Sequence, residues 1–511
     1  MDSFELTPPR LSRQRAGRPQ RLGVVDLGSN SVRLVVFEGL SRNPLTIFNE
    51  KAVLGLGRGL QQTGKLNETA VPQALTVLGR YAAVASAMNA EPIEILATAA
   101  SRDATNGPDF IAAINRRLPD IQVRVLTGAE EGALSADGVL LGFPGADGVL
   151  GDLGGGSLEL VELNAGRMGR AASLPLGAIR LADRAGGDPA KARAIAEGDL
   201  SRVSWLRAAE GRDLYLVGGA WRALARMHMA QTSYPLYIVH HYVLQREEAR
   251  DLAGVIAQAS RKSLEKMPEA PARRLQDMPF AAVVLRRLLR ATGARRVVFS
   301  ANGLREGWYG RLLPRRIRAE DPLQAAGRDL AERFGRDPEL APALAAWTAS
   351  LFEEETEEAT ALRAAACAIA DIGSHDHPDY RAEHAFYRAL RMPGVGVDHH
   401  QRAFLALVVA LRYEADDEAF LATARQLLDP EAVRRAVALG AALRLAFTLS
   451  GGTPALLAGT ALRRVGGELR LRLIEGTGVF AGESVQRRLD AVANALSLSA
   501  TVEVAAGRTG A

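Results

Sequence analysis

Two segments of this chain read almost alike, 126 residues apart (152 minus 26): Val24-Val25-Asp26-Leu27-Gly28-Ser29 and Leu150-Gly151-Asp152-Leu153-Gly154-Gly155. Each is an apolar run that reads as a buried strand, carries an aspartate near its end and enters a glycine turn. Each is followed by a second apolar run, Ser31 to Phe37 in the first case and Leu158 to Leu163 in the second, which reads as the hairpin partner. Behind the first pair come a helical pattern over 69–89, a strand over 93–98, a helix over 108–117, a strand over 121–126 and a helix from Ala129 to Leu141. Behind the second pair come a strand over 214–217, helices to about 292 and a strand over 296–300. So long a repeat is not a solenoid period. It predicts a duplicated α/β unit, with halves at 22–134 and 135–313 and a cleft between them that can close.

The whole chain of 511 residues is too long for one core, since single cores stop growing near ~250–300 residues. After Pro314 the chain turns rich in Ala, Leu, Arg and Glu, which predicts a mainly helical domain over 314–447. A break at Ser450-Gly451-Gly452-Thr453-Pro454 opens a small α+β piece over 448–511. Residues 1–21 are polar and rich in Arg, with no apolar central stretch, so a disordered basic tail is expected rather than a signal peptide. No run of about 18 apolar residues suggests a membrane span. The lone cysteine, Cys367, lies in an apolar helical run and excludes an internal disulfide framework and a cysteine-built zinc site. A cytoplasmic chain is expected.

The glycine turns carry the candidate chemistry. In Asp152-Leu153-Gly154-Gly155-Gly156-Ser157-Leu158-Glu159, the bare backbone of Gly154, Gly155 and Gly156 lets a ligand approach, and its N–H groups can form an anion nest. Asp152 and Glu159 are hard oxygen ligands suited to Mg²⁺, which takes one or two carboxylates plus phosphates and waters. The earlier turn offers the Asp26 carboxylate and the side chains of Ser29, Asn30 and Ser31 as donors to phosphate. Two such loops, one per half, can hold a phosphoryl chain from both sides. In Thr127-Gly128-Ala129-Glu130-Glu131-Gly132, two acids fall in a first helical turn, where the helix dipole alone favours them. Glu131 is the candidate general base for an attacking water.

These segments, with Thr98-Ala99-Ala100-Ser101-Arg102, Leu174 to Leu181 and Ser300 to Gly307, are collinear over 22–313. As a set they resemble the exopolyphosphatase/guanosine pentaphosphate phosphatase family, of the actin/hsp70/sugar-kinase (ribonuclease H-like) fold. The resemblance implies that the glutamate before Gly132 is the base, which selects Glu131 over Glu130. It implies that Asp152 and Glu159 help hold a divalent metal, Mg²⁺ by first choice. It implies that Ser29, Asn30, Arg102 and the Gly154–Ser157 loop, with Asp26 beside them, contact phosphates. The implied reaction is processive release of orthophosphate from inorganic polyphosphate, with the 5′-phosphate of guanosine pentaphosphate as the alternative substrate. A homodimer is implied as well.

Two segments stand apart from that pattern. In Val217-Gly218-Gly219-Ala220-Trp221-Arg222, the bulky Trp221 replaces the Ser or Thr that relatives carry, either to meet a ligand where nucleotide-binding cousins meet adenosine or to pack inside. His375, His377, His384, His399 and His400, with nearby aspartates, could gather a metal. The stretch resembles an HD-like helical domain. It has His375-Asp376 but Glu414 after Arg412-Tyr413, and no upstream histidine, which implies a metal-free domain that serves substrate binding or dimerisation. Net charge is +5, and Arg clusters at 10–21, 286–296 and 315–318 suit a polyanion or are solvated faces.

Overall fold

The structure is a computed structural model and describes residues 19–505 apart from 338, 417, 475, 477, 478 and 480. The arginines at 10, 13, 15 and 18 therefore lie outside the described residues. The chain forms two compact units, the first ending at Ala319 and the second beginning at Glu320.

The first unit holds two sheets. One contains β1 (Arg21–Leu27), β2 (Ser31–Glu38), β3 (Leu45–Val53), β4 (Ala90–Ala97) and β5 (Gln122–Val125), in the order β3-β2-β1-β4-β5. The other contains β6 (Gly148–Leu153), β7 (Leu158–Asn164), β8 (Arg167–Leu174), β9 (Asp213–Val217), β10 (Val243–Gln245) and β11 (Arg296–Phe299), in the order β10-β11-β9-β6-β7-β8. In each, an antiparallel meander is followed by two strands parallel to its first: β1 with β4 and β5, β6 with β9 and β11. The duplication read from the two Asp-Leu-Gly turns is thus a duplication of topology. β10 is an added antiparallel edge strand on β11.

Three strands of this unit were not legible in the sequence. β3 carries Asn49-Glu50-Lys51 in its middle and lies at an edge, and β8 is exposed along most of its length. An edge strand with solvent on both faces loses the alternation that marks a strand. β10 has only 3 residues, too few to show a period. The first strand also opens one residue early, because Arg21 pairs across the hairpin with Glu38 at 2.9 Å.

Helix Ala70–Ala87 covers one face of the first sheet through Ala70, Ala74, Leu78, Tyr81 and Ala85, spaced three or four apart as one helical face requires. The opposite face packs on helices Gly128–Gly142 and Leu304–Leu312 through Leu134, Leu141, Trp308 and Tyr309. Those two helices cross closely: a Cβ at Gly307 would lie 1.8 Å from the Leu134 carbonyl oxygen, and one at Gly138 would lie 2.0 Å from that of Gly303. The second half therefore returns its last helix to the sheet of the first. The buried Glu94 fixes this junction, accepting from Trp308 Nε1 at 2.6 Å and from Arg124 Nε at 2.7 Å.

The second unit is helical from Pro322 to Ser450 and ends in a sheet of β12 (Thr460–Val465), β13 (Glu468–Ile474) and β14 (Ser499–Ala505). Trp347 Nε1 donates to Thr460 Oγ1 at 2.8 Å, so sheet and helices share one core. Cys367 is buried there against Thr348. His377 lies by Asp379, His384 by Asp376 and His400 by Asp429, with the rings of His377 and His384 both packed on Tyr380. Among the described residues, no three His, Cys, Asp or Glu side chains converge as a metal site, and no helix is long and apolar enough to cross a membrane.

Candidate active site

The two glycine turns are built alike. Gly28 N–H donates to the Ser31 carbonyl and Gly154 N–H to the Ser157 carbonyl, both at 3.0 Å. In register, Asp26 on β1 sits opposite Arg33, and Asp152 on β6 sits opposite Glu159. The turns meet: a Cβ at Gly156 would lie 2.8 Å from Ser29 Oγ. A Cβ at Gly177 would lie 2.4 Å from backbone atoms of Gly155 and Gly156, so only glycine fits under the second loop. The start of helix Ala178–Arg184 holds that loop by donating from Ala178 and Ile179 to the carbonyls of Gly154 and Gly155, each at 3.1 Å. The Gly55–Gly59 stretch braces the first loop, with Gly57 N–H on the Ser29 carbonyl at 2.8 Å.

Between the halves, at the carboxyl ends of β1 and β6, lies a cleft of about 140 Å³ open to solvent. Asp26, Ser29, Asn30, Glu131, Asp152 and the three glycines 154–156 line it. Ser157 and Glu159 are buried behind it, and Arg102 stands partly exposed beside Glu131. Arg102 Nη1 lies 3.5 Å from Glu131 Oε2 and donates to the Leu126 carbonyl at 3.0 Å. Glu159 is 1% exposed and accepts from Ser173 Oγ at 2.9 Å.

The two acids after Thr127 separate cleanly. Glu130 closes a capping box, accepting from Thr127 N–H at 2.7 Å while its own N–H donates to Thr127 Oγ1 at 3.2 Å. Glu131 is left to the cleft and is 8% exposed. Burial, then the charges of Glu159 and Asp152, raise its pKa well above the ordinary carboxylate range, with Arg102 opposing. Burial also raises Asp152, although Ser135 Oγ donates to it, and burial and Asp152 raise Glu159.

Cations also wall the cleft, interleaved with the acids: Arg33, Lys51, Arg222, Arg274 and Arg305. Desolvation and the guanidiniums of Arg274, Arg33 and Arg222 push the Lys51 ammonium down to about 8. Burial and Arg305 lower Arg222 to about 10. Arg305 Nη1 lies 3.6 Å from Asp26 Oδ2, while its buried Nε and the buried Asn30 Oδ1 have no hydrogen-bond partner. This wall was missed in the sequence because its residues come from separate segments. One signal was present: Arg33 stands seven residues after Asp26, as Glu159 does after Asp152. Trp221 corrects the ligand reading of its segment. It is fully buried, with Nε1 donating to the Ala281 carbonyl at 3.0 Å, and its neighbour Arg222 is the residue that faces the cleft.

A desolvated cluster of acids beside a cationic wall suits a polyanion carrying a divalent cation. The same architecture is shared with known proteins. Residues 35–316 match the Ppx/GppA phosphatase family model. The chain belongs to that family. Residues 323–501 match the model described as exopolyphosphatase, C-terminal. Exopolyphosphatase 2 of Mycobacterium tuberculosis is 36% identical over 174 residues, 32% of this chain and 54% of that protein, so the chain spans about half the length of that relative. Exopolyphosphatase 1 of the same species is 27% identical over 299 residues, 56% of this chain and 86% of that one. The crystal structure of an exopolyphosphatase from Cytophaga hutchinsonii superposes with a TM-score of 0.52 at 24% identity, over 56% of this chain and 96% of that one. The family's duplicated actin-like α/β fold is therefore the fold of the first unit.

Proposed function

We propose that this family member hydrolyses the terminal phosphoanhydride bond of inorganic polyphosphate. The observation that supports the reading is Glu131, a buried carboxylate of raised pKa, among the acids of a cleft that five cations also line. Glu131 takes a proton from water as the water oxygen bonds to the terminal phosphorus. The bridging P–O bond breaks, and orthophosphate leaves a chain one unit shorter. Ser29, Asn30 and the Gly154–Gly156 backbone hold the terminal phosphoryl oxygens in line. Arg33, Lys51, Arg222, Arg274 and Arg305 hold the following phosphates, and Arg102, beside Glu131, orients it. Asp152, with Asp26 across the cleft, would hold Mg²⁺, which when bound supplies charge neutralisation. Glue of this kind needs few protein ligands, so a site with two carboxylates and phosphate oxygens fits. Glu159 acts as a support of Glu131 and Asp152. Chains are shortened processively by a cytoplasmic homodimer in this reading.

Orthophosphate release with Mg²⁺ from long polyphosphate and from guanosine pentaphosphate, side by side, tests it. Faster release from polyphosphate is expected, because charged groups and not an aromatic face line the wall beside Gly218–Ala220. Preference for guanosine pentaphosphate, or release from neither, would overturn it.

A further inference from the structure

The arginines of 286–296 part ways in the fold. Arg295 and Arg296 both donate to Asp213 at 2.9 Å. Arg287 and Arg290, on helix Met278–Thr292, instead face helix Pro189–Ser201 and the short helical turn Ser204–Ala209 across a second cavity of about 360 Å³, open to solvent. Arg207, Ser201, Ser204 and Glu197 complete its polar lining, and none of these residues lines the cleft described above.

Arg287 is the buried member, its side chain 10% exposed. Its Nη1 has no hydrogen-bond partner and lies 3.7 Å from Glu197 Oε2, too far for a hydrogen bond. The same carboxylate is shared with Arg290, whose Nη1 lies 3.3 Å from Oε1. Burial, then the charges of Arg193, Arg290 and Arg286, lower the pKa of Arg287, with Glu197 opposing. One carboxylate thus answers two guanidiniums, and the inner one, Arg287, lines the cavity while its enclosed Nη1 is left without a partner. A buried cation left short of partners is costly, and a guanidinium fork matches phosphate oxygens two at a time.

We infer that this pocket is a second binding site for a phosphate oxyanion, with Arg287 at its base and Arg207, Arg290 and the hydroxyls of Ser201 and Ser204 around it. Two sources share that chemistry, free orthophosphate and a segment of a polyphosphate chain. The inference does not require the cleft to hydrolyse anything.

Calorimetric titration of the full chain in a chelator, so that nothing is turned over, tests it with tripolyphosphate and orthophosphate as probes. Tripolyphosphate is expected to bind in two classes. Arg290→Gln, at a side chain 67% exposed and so harmless to folding, is expected to weaken one class about ten-fold and leave the other unchanged. Arg287→Gln is expected to abolish that class. Equal binding of orthophosphate there identifies free phosphate as the occupant, and binding of tripolyphosphate alone identifies a chain segment. A single class of sites that Arg290→Gln leaves unchanged would overturn the inference. Failure of the hydrolysis reading would appear only as absent phosphate release, which this titration does not measure.

Discussion

Glu131 and Glu130 are adjacent acids with different work, and the difference is local. Thr127 captures Glu130 in a cap, while Glu131 turns toward Arg102 and the cleft. The capping box occupies Glu130 and leaves Glu131 as the candidate base. Asp26 and Asp152 were legible because the turn that carries them occurs twice. Lys51, Arg222, Arg274 and Arg305 were not, because only the folded chain brings them to one wall. The raised pKa of Glu131 has two consequences. The base works deprotonated, so kcat/KM falls as pH drops through that raised value. Arg102 is the cation that holds it down, so Arg102→Gln is expected to move the acidic limb of the pH profile to higher pH; an unmoved limb would contradict the pairing. A carboxyl that binds its proton more tightly folded than unfolded stabilises below its unfolded pKa, and that stability is lost as pH rises through the folded value. Glu131→Gln is therefore expected to melt above the wild type at pH 8 in a chelator, with the gap closing toward 4.5, the ordinary value. Calorimetric melting at both ends of the range reads the difference.

Elements place these groups through close approach. The order β3-β2-β1-β4-β5 and its counterpart in the second sheet put Asp26 and Asp152 at equivalent strand ends facing one cleft. The strands at the sheet centres were plain in the sequence as apolar runs; the edge strands β3 and β8 were hidden by their wet faces. Gly177 is where the second loop and its helix touch. Gly177→Ala would drive a Cβ into the backbone of Gly155 and Gly156, so a KM for polyphosphate raised about ten-fold or more is expected, with the circular dichroism unchanged. Trp221 gives the converse case. Trp221→Phe removes one buried hydrogen bond to Ala281, so a loss of about 1 kcal/mol in stability is expected with KM unaltered. A changed KM would return Trp221 to the ligand.

At the scale of the whole molecule, net charge is only +5, so attraction of a polyanion rests on where the cations lie rather than on their excess. Binding of a long chain to the cleft wall releases counterions, so KM for long polyphosphate is expected to rise steeply with salt, and a flat response would remove the wall from the substrate path. The duplication read from two short turns foretold the first unit's architecture. The histidine-rich stretch of the second unit looked like a possible metal cluster in one dimension; in the fold His377, His384 and His400 lie by three different aspartates. The most direct test is orthophosphate release from long polyphosphate with Mg²⁺ by the wild type and by Glu131→Gln, both shown to be folded. A fall of roughly 10²–10⁴-fold in kcat with KM little changed is the expected result, the cost of losing a general base while the phosphate grip remains. Release by Glu131→Gln at the wild-type rate would contradict the assignment of the base and the chemistry built on it.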